Sequence, residues 1–583
     1  MVAEGGGKMG ERPNHVLMLY PRFVADTFWS FAESCKLMGA RRPTAPLGLI
    51  TVAAMLPASF EVRLIDCNTQ ALDAADLAWA DVVFTGGMLP QQADTLRLIE
   101  LCHAHGKPVV VGGPDATSSP HIYAAADFRV LGEAEGVIHD FVAAWEAGAR
   151  SGIFTAPKFQ ADVTKTPVPR FDLLKLDHYL YVGVQYSRGC PFTCEFCDII
   201  ELYGRVPRTK TTAQMLAELD ALHALGYRGH VDFVDDNFIG NKKALKAFLP
   251  HLAEWQRAHD QPFEFSTEAS VNLADDQALL DMMKAANFFL VFVGIESPDP
   301  DSLVAMKKKQ NTRRDLVESI HRIYRAGMFV TAGFIVGFDS EKVSIAEAMI
   351  EFIEDSAIPI CMVGLLYALP NTQLTRRLAR EGRLHIDHDV AATAGGDQCI
   401  SGLNFDTRRP LRDILADYRH ILERLYDPCA YAARVTRLVT LLDRSGRARD
   451  LPEGDSRGKM SALESVHRVV TEIPQAREAF WRTFMNCAKM SPASVRIVVA
   501  HLVLYLHLGP FSRQVIAAID RRIAALDGEI FDAGAIRRSS RAVGARGLTR
   551  AELSRSSVHH IRSARASGTR WADPEYPSLA LEP

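Results

Sequence analysis

No run in this chain is apolar for the ~18 residues that a membrane-crossing helix needs. The nearest, Ile497 to Leu508, is interrupted by His501 and His507. It reads first as a core helix and second as a surface that meets lipid, so the expectation is no transmembrane segment. The start, Met-Val-Ala-Glu-Gly-Gly-Gly-Lys8, is polar and carries no secretory pattern. Neither sign of charge is in excess: 66 Lys and Arg face 70 Asp and Glu, a net charge of −4. That leaves no electrostatic case for nucleic acid. A disulfide framework is missing too, because Cys35, Cys67, Cys102, Cys361, Cys399, Cys429 and Cys487 are scattered without regular spacing, as expected of thiols in the reducing cytoplasm. There is no solenoid repeat and no G-x-G-x-x-G, so a dinucleotide site has little support. What remains is a 583-residue chain, 48% apolar and 23% charged, with material for two to four domains.

What is present is concentrated in Tyr186-Ser-Arg-Gly-Cys-Pro-Phe-Thr-Cys-Glu-Phe-Cys-Asp198. Cys190, Cys194 and Cys197 form C-x3-C-x2-C, with Phe196 just before the last thiol. A zinc site usually pairs two such elements, and no second one lies nearby; three unrelated structural thiols are the other plain alternative. A saturated [4Fe–4S] cluster takes four thiolates, so three leave one iron open to a small molecule. The segment resembles the cluster loop of the radical S-adenosylmethionine (radical SAM) enzymes. That resemblance implies a cluster on these three cysteines, with SAM chelated at the open iron through its amino and carboxylate groups. One electron then cleaves the sulfonium to a 5′-deoxyadenosyl radical, and a flavodoxin- or ferredoxin-type donor supplies it.

Ahead of the cysteines, residues 14–150 alternate short apolar strands (His15–Pro21, Glu61–Asn68, Asp81–Gly87, Pro108–Gly113, Phe128–Gly132) with helical stretches near 47–56, 92–105 and 134–147. Such alternation predicts an α/β, doubly wound parallel sheet that binds ligands at its carboxyl strand ends. Those ends carry Asp66-Cys-Asn-Thr69, Thr85-Gly-Gly-Met88, Gly112-Gly-Pro-Asp115 and Gly132-Glu-Ala-Glu-Gly136. The order of these turns is similar to the cobalamin-binding domain that precedes the barrel in one radical SAM class. It implies cobalamin contacts from Asp66, Asn68, Thr85, Gly86, Gly112, Gly113, Gly132 and Glu133. The cobalamin fingerprint D-x-H-x-x-G is only partly present: Asn68 stands where its cobalt-ligating His would fall, and Ala71 replaces the Gly. No imidazole from this loop can then reach cobalt. The alternative is a degenerate domain that merely packs on the barrel.

After a linker over 151–180, residues 181–385 repeat strand then helix six times, with strands near Val182–Tyr186, His230–Asp235, Phe263–Glu268, Phe289–Ile295, Thr331–Val336 and Ile360–Leu366. Six units predict a partial (β/α)6 barrel with its chemistry at the carboxyl strand ends. By resemblance, Asp235, Asp236 and Asn237 contact the SAM ammonium, and Glu268 and Ser270 the ribose hydroxyls. Glu296 ends the fourth strand at the same mouth, Gly333 and Gly337 let adenine lie on bare backbone, and Phe196 and Ile199 pack near it. Each carboxylate alone reads equally well as a solvated surface group. Arg188, Glu195 and Asp198 read as loop-shaping or surface residues, and no catalytic acid or base stands out.

Residues 386–530 read as a helical domain, with amphipathic stretches around 411–425, 461–485 and 493–526, similar to the C-terminal extension of one cobalamin-dependent branch. Residues 531–583 are rich in Arg, Ser and Gly and read as a disordered basic tail. The pattern as a whole, including Tyr20-Pro-Arg-Phe23, Cys197-Asp-Ile199, Val234-Asp-Asp-Asn-Phe-Ile-Gly240 and Ala368-Leu-Pro-Asn-Thr372, is similar to the hopanoid C-2 methylase-like branch. It implies methylation of an unactivated carbon of a small-molecule or lipid-like substrate. One SAM would methylate cobalamin, and the radical from a second would activate the substrate carbon. Relatives that cyclise or rearrange rings give a second reading, and a non-catalytic iron–sulfur or cobalamin protein a third.

Overall fold

The computed structural model of the chain describes residues 14–23, 27–385, 398–443, 445, 462–490 and 494–544. Seven short strands come first: β1 (His15–Tyr20), β2 (Arg42–Thr44), β3 (Glu61–Asp66), β4 (Val82–Gly86), β5 (Val109–Gly112), β6 (Phe128–Leu131) and β7 (Gly152–Thr155). All but β2 form one parallel sheet in the order β3-β1-β4-β5-β6-β7. The central strands are largely apolar on both faces because helices cover both sides. Val16, Met18, Phe84 and Phe128 pack with Phe141 on one side; Leu17, Leu19, Val83, Val109 and Val111 pack with Leu98 on the other. Strand order reverses beside β1, so the ligand crevice of this doubly wound sheet opens at the carboxyl ends of β1 and β4.

The second sheet follows in the chain: β8 (Tyr179–Val184), β9 (Ser187–Arg188), β10 (Arg208–Thr209), β11 (Gly229–Phe233), β12 (Phe263–Glu268), β13 (Phe288–Glu296), β14 (Phe329–Val336) and β15 (Cys361–Leu365). Seven parallel strands run β15-β14-β13-β12-β11-β8-β2, while β9 and β10 form a small antiparallel ribbon flanking the cysteine loop. Outward residues such as Val231, Phe265, Val291, Val293 and Val330 are fully buried under helices. Inward residues such as Tyr181, His230, Asp232, Phe292 and Ile335 keep partial solvent access, so the inner face is not filled solid.

The architecture differs from the sequence expectation in four places. Strand β7 lies inside the expected linker, where Gly152-Ile-Phe-Thr155 is too short for its pattern to register. Strand β2 comes from the N-terminal region but pairs with β8, giving the half-barrel a seventh strand. The stretch 461–485 is two helices, Ala462–Glu472 and Arg477–Met490, because Pro474 opens a separate turn between them. The last helix, Val495–Gly544, continues past the expected start of the basic tail; residues 545–583 of that tail lie outside the described residues. The chain divides into two compact units, one through Asp520 and a second from Arg521, whose described part is the end of this helix.

Part of that helix, Val495–Gly528, is long and apolar enough to cross a membrane, with a mean hydropathy of 1.4, unlike the expectation from unbroken apolar runs. Within its most apolar window 67% of the residues are buried in the protein, which is how a core helix behaves. His501 points inward as well, bonding the Ile497 carbonyl at 2.7 Å and meeting the Phe329 ring at 5.0 Å. The helical region also covers the open edge of the half-barrel. Tyr418 and Tyr426 donate their hydroxyls to the carbonyls of Val363 (3.0 Å) and Cys361 (2.7 Å), and the Leu403 amide donates to Leu366 (2.7 Å). Carbonyls that an edge strand would leave unpaired are thus satisfied.

Candidate active site at the mouth of the half-barrel

The chain leaves β8, passes through β9 and enters the cysteine loop, so the first barrel strand delivers all three thiols to the mouth. Asp235, just past β11, fixes the take-off: its buried carboxylate accepts from the Tyr186 amide (3.0 Å) and from the amide and hydroxyl of Ser187 (2.5 Å each). Burial pushes this acid up to about 7, with those donors pulling the other way. Asp236 accepts from the Gly189 amide at 2.8 Å. Asn237 faces two ways. Its amide nitrogen lies 3.8 Å from Cys190 Sγ, and its oxygen accepts from the amide (3.1 Å) and hydroxyl (3.2 Å) of Ser270. Asp235, Asn237 and Ser270 therefore hold the loop through the hydrogen bonds they make to one another and to its backbone.

The other wall of the loop is one that sequence reading missed. The Glu195 amide donates to the Met306 carbonyl at 3.0 Å. Gln310 places its amide nitrogen 3.6 Å from Cys194 Sγ. Lys308, buried, bonds Glu296 at 2.6 Å and stands 6.0 Å from the centroid of the Phe196 ring. Burial disfavours the Lys308 ammonium, but Glu296 and the neighbouring Cys194 and Cys197 outweigh it and raise its pKa. Glu296 is therefore an ion-pair partner, not a free ligand group. Lys307-Lys-Lys-Gln310 looks like a solvated basic run in sequence; only the preceding strand, β13, brings it beside the thiols. Among the described residues no group of three His, Cys, Asp or Glu side chains closes on a single metal ion. A cubane binds each thiolate to a different iron, and two of the three cysteines carry amide donors suited to thiolates.

Glu268, at the end of β12, has a different character. No donor reaches its carboxylate among the described residues, and it keeps solvent access at the mouth. Enclosure raises its pKa, and Asp232, Asp236 and Asp235 add to the rise. Deeper in the barrel Asp232 takes the Ser266 hydroxyl, Ser266 meets His230 Nε2 at 2.5 Å, and His230 lies 4.7 Å from the Tyr181 ring. Burial holds His230 down to about 3, hence neutral. One half of the inner face is thus acidic and polar. The neighbouring half is aromatic: Phe292 stands in register with Glu268, and Trp29, 43% exposed, meets Phe292 edge-on at 5.6 Å.

Protein side chains stand close to both glycines expected beneath adenine. A Cβ on Gly333 would come 3.1 Å from the Phe292 ring, and one on Gly337 would come 2.6 Å from Leu403. These glycines make room for protein side chains. Phe196 does face the site, with Phe338 against it at 6.0 Å.

The cobalamin candidates gather at the carboxyl ends of the first sheet, but their side chains are engaged. Asp66, buried, accepts from the amide and side chain of Asn68 (2.8 and 2.7 Å) and from the Tyr179 hydroxyl (2.8 Å). Asn68 is tied further to the Phe23 amide, the Arg42 guanidinium and the Pro21 carbonyl. Thr85 donates to the Leu19 carbonyl at 3.0 Å. Gly86 and Gly112 let two strand ends approach: a Cβ on Gly86 would lie 2.1 Å from the Gly112 oxygen. Gly113 and Gly132 hold turns at positive φ. Glu133, expected at cobalamin, instead pairs with Arg188 (3.3 Å) and Arg208 (2.9 Å), while Glu135 takes Arg188 at 2.8 Å. This corrects the role of Glu133: it ties the first sheet to the ribbon beside the cysteine loop. What those strand ends leave free for a ligand is backbone and the crevice itself.

Comparison with known proteins agrees with this construction. Residues 40–142 match the B12 binding domain family, 184–353 the radical SAM superfamily, and 372–521 a domain of unknown function. The chain is 48% identical over 420 residues to an uncharacterized methyltransferase of Synechocystis, covering 72% of this chain and 77% of that one. It is 38% identical over 432 residues to the hopanoid C-2 methylase of Rhodopseudomonas palustris, covering 73% and 79%. The fold also matches the cobalamin-dependent S-adenosylmethionine radical enzyme OxsB, solved with aqua-cobalamin and S-adenosylmethionine bound, at a TM-score of 0.55 and 14% identity, over 88% of this chain and 81% of that one. With a B12 binding domain docked through Arg188 on a radical SAM half-barrel, and relatives this similar along most of its length, the chain belongs to the B12-binding radical SAM methyltransferases, the family that includes hopanoid C-2 methylase.

Proposed function

We propose that this enzyme methylates an unactivated carbon of an apolar, lipid-like substrate, using a [4Fe–4S] cluster on Cys190, Cys194 and Cys197, SAM, and cobalamin at the carboxyl ends of β1 and β4. The observation that carries the reading is the split inner face, where Glu268 and Phe292 stand side by side in register. Sulfonium and ammonium charges of SAM suit the acidic half around Glu268, Asp232 and Asp236. The aromatic half, with Phe292 and Trp29, suits a hydrocarbon skeleton.

When bound, the cluster and cobalamin supply an electron and a methyl group; the protein supplies placement. Asn237 and Gln310 direct N–H groups at two cysteine sulfurs. Asp235 and Asp236 set the loop that carries them. Arg188 fixes that loop to the first sheet, so the cysteine loop and the cobalamin crevice keep one spacing. Asn68, held by five hydrogen bonds within its own surroundings, would offer a bound cobalamin no imidazole from this loop. We place the enzyme in the cytoplasm, with a flavodoxin or ferredoxin as electron donor.

The test is anaerobic reconstitution with cobalamin, a reductant and isotopically methyl-labelled SAM, on total lipid extract from the source cells. The expected result is 5′-deoxyadenosine together with label in an apolar lipid, both abolished by Cys194→Ala. Steady 5′-deoxyadenosine with a rearranged, unlabelled product would favour ring chemistry instead, and 5′-deoxyadenosine formation by Cys194→Ala would overturn the cluster assignment.

A further inference from the structure

Gln310 lies against Cys194 and keeps a buried hydrogen-bonding group without a partner. It sits after β13 on the segment that Asn311 pins to that strand through the carbonyls of Gly294 and Ile295, at 3.0 Å each. The residue is only 7% exposed, its Nε2 lies 3.6 Å from Cys194 Sγ, and its Oε1 has no partner among the described residues. The orientation of this amide follows from chemistry: a thiolate only accepts, so the N–H must face Cys194 and the oxygen must face away. A buried carbonyl left unpaired is costly, so a donor is expected opposite it. Lys308 does not supply it, because its ammonium donates to Glu296. Neither thiolates nor the irons and sulfides of a cluster carry an N–H or O–H.

Resting on the cluster reading above, we propose that Gln310 bridges Cys194 to SAM, donating its amide N–H to the thiolate and accepting on Oε1 from the SAM amino group at the open iron. Among groups that reach a cluster with one open iron, the amino group is the one that brings N–H donors. Gln310 is then a binding residue for SAM that is not a strand-end carboxylate, and it links SAM binding to the sulfur environment of Cys194.

The experiment is SAM titration by equilibrium dialysis on anaerobically reconstituted wild type, Gln310→Met and Gln310→Glu, with iron and sulfide content measured for each. Gln310→Met, similar in shape but without an acceptor, should keep its cluster and bind SAM ten- to a hundredfold more weakly. Gln310→Glu keeps an acceptor, so it should bind SAM within a few-fold of wild type, while its cluster potential, read by redox titration with electron paramagnetic resonance, shifts negative because the N–H donor is lost. Wild-type SAM affinity in a fully loaded Gln310→Met protein would overturn the proposal. So would loss of the cluster in both variants, which would make Gln310 an assembly residue. Wild-type protein that holds a cluster but binds no SAM would instead fail the underlying reading.

Discussion

Replacing Arg188 with Met removes the guanidinium that joins the first sheet to the cysteine loop while keeping most of the stem. In the native protein Arg188 is 13% exposed at its side chain, and its partners Glu133 and Glu135 are 3% and 8% exposed. Glu133 keeps Arg208; Glu135 is left with the Thr166 hydroxyl alone. Removing one member of a buried ion pair costs about 3–5 kcal/mol because the other charge is stranded. Since one of the two carboxylates retains an arginine, about 3 kcal/mol is expected. The pH dependence has a definite sign. Burial disfavours the ionised Glu135, but Arg188 overrides it and holds the pKa below the usual glutamate value. Its contribution in the wild type is therefore present above the unfolded pKa of about 4.3 and is lost only as pH falls through the depressed folded value. Without Arg188, burial is opposed only by the Thr166 hydroxyl and a backbone hydrogen bond, so Glu135 rises and acidification neutralises the stranded charge. The deficit of Arg188→Met relative to wild type should be largest near pH ~7.5 and should shrink toward pH ~5.5. Urea unfolding of the apo-proteins, followed by circular dichroism and tryptophan fluorescence at both pH values, measures it. A deficit under about 1 kcal/mol, the range of exposed pairs, or one that does not change with pH, would refute the reasoning.

Gly86→Ala should destabilise the first sheet by about 3 kcal/mol, seen as a lower urea midpoint, because its Cβ would meet the backbone oxygen of Gly112 rather than a side chain that could turn away. Bound Co(II) cobalamin should show no protein-nitrogen splitting in electron paramagnetic resonance, since Asn68 is locked into the Asp66 loop. Glu268→Gln should leave iron content unchanged and weaken SAM binding roughly ten- to hundredfold; unchanged affinity in a SAM titration would remove Glu268 from the site.

Local chemistry made much of this protein readable before any fold was known. Three thiols at C-x3-C-x2-C carry the resemblance to a cluster loop with one open iron, and apolar runs without alternation imply strands covered on both faces. Asn68 in place of a histidine excludes an imidazole ligand from that loop. Strand ends rich in carboxylate and glycine were legible for the same reason, since spacing along the chain determines which residues reach the barrel mouth.

What those residues do there was decided by contacts between distant segments. Glu133 reads as a ligand-loop acid until Arg188 and Arg208 are placed against it. Gly333 and Gly337 read as a nucleobase shelf in sequence, and only the fold shows that Phe292 and Leu403 stand beside them. Lys308 and Gln310 carry no signal in a basic run, and they acquire one only when β13 sets them beside Cys194. Strand β2 behaves the same way: three residues have almost no pattern, and their pairing with β8 comes from the close approach of chain far apart in sequence. Periodicity and spacing report how a segment meets its neighbours in sequence, which sets elements and motifs. The partner of a buried charge, or the side chain that fills a glycine's empty face, is set by packing across the fold, and in this protein that packing separates the residues that build the site from those left free to bind.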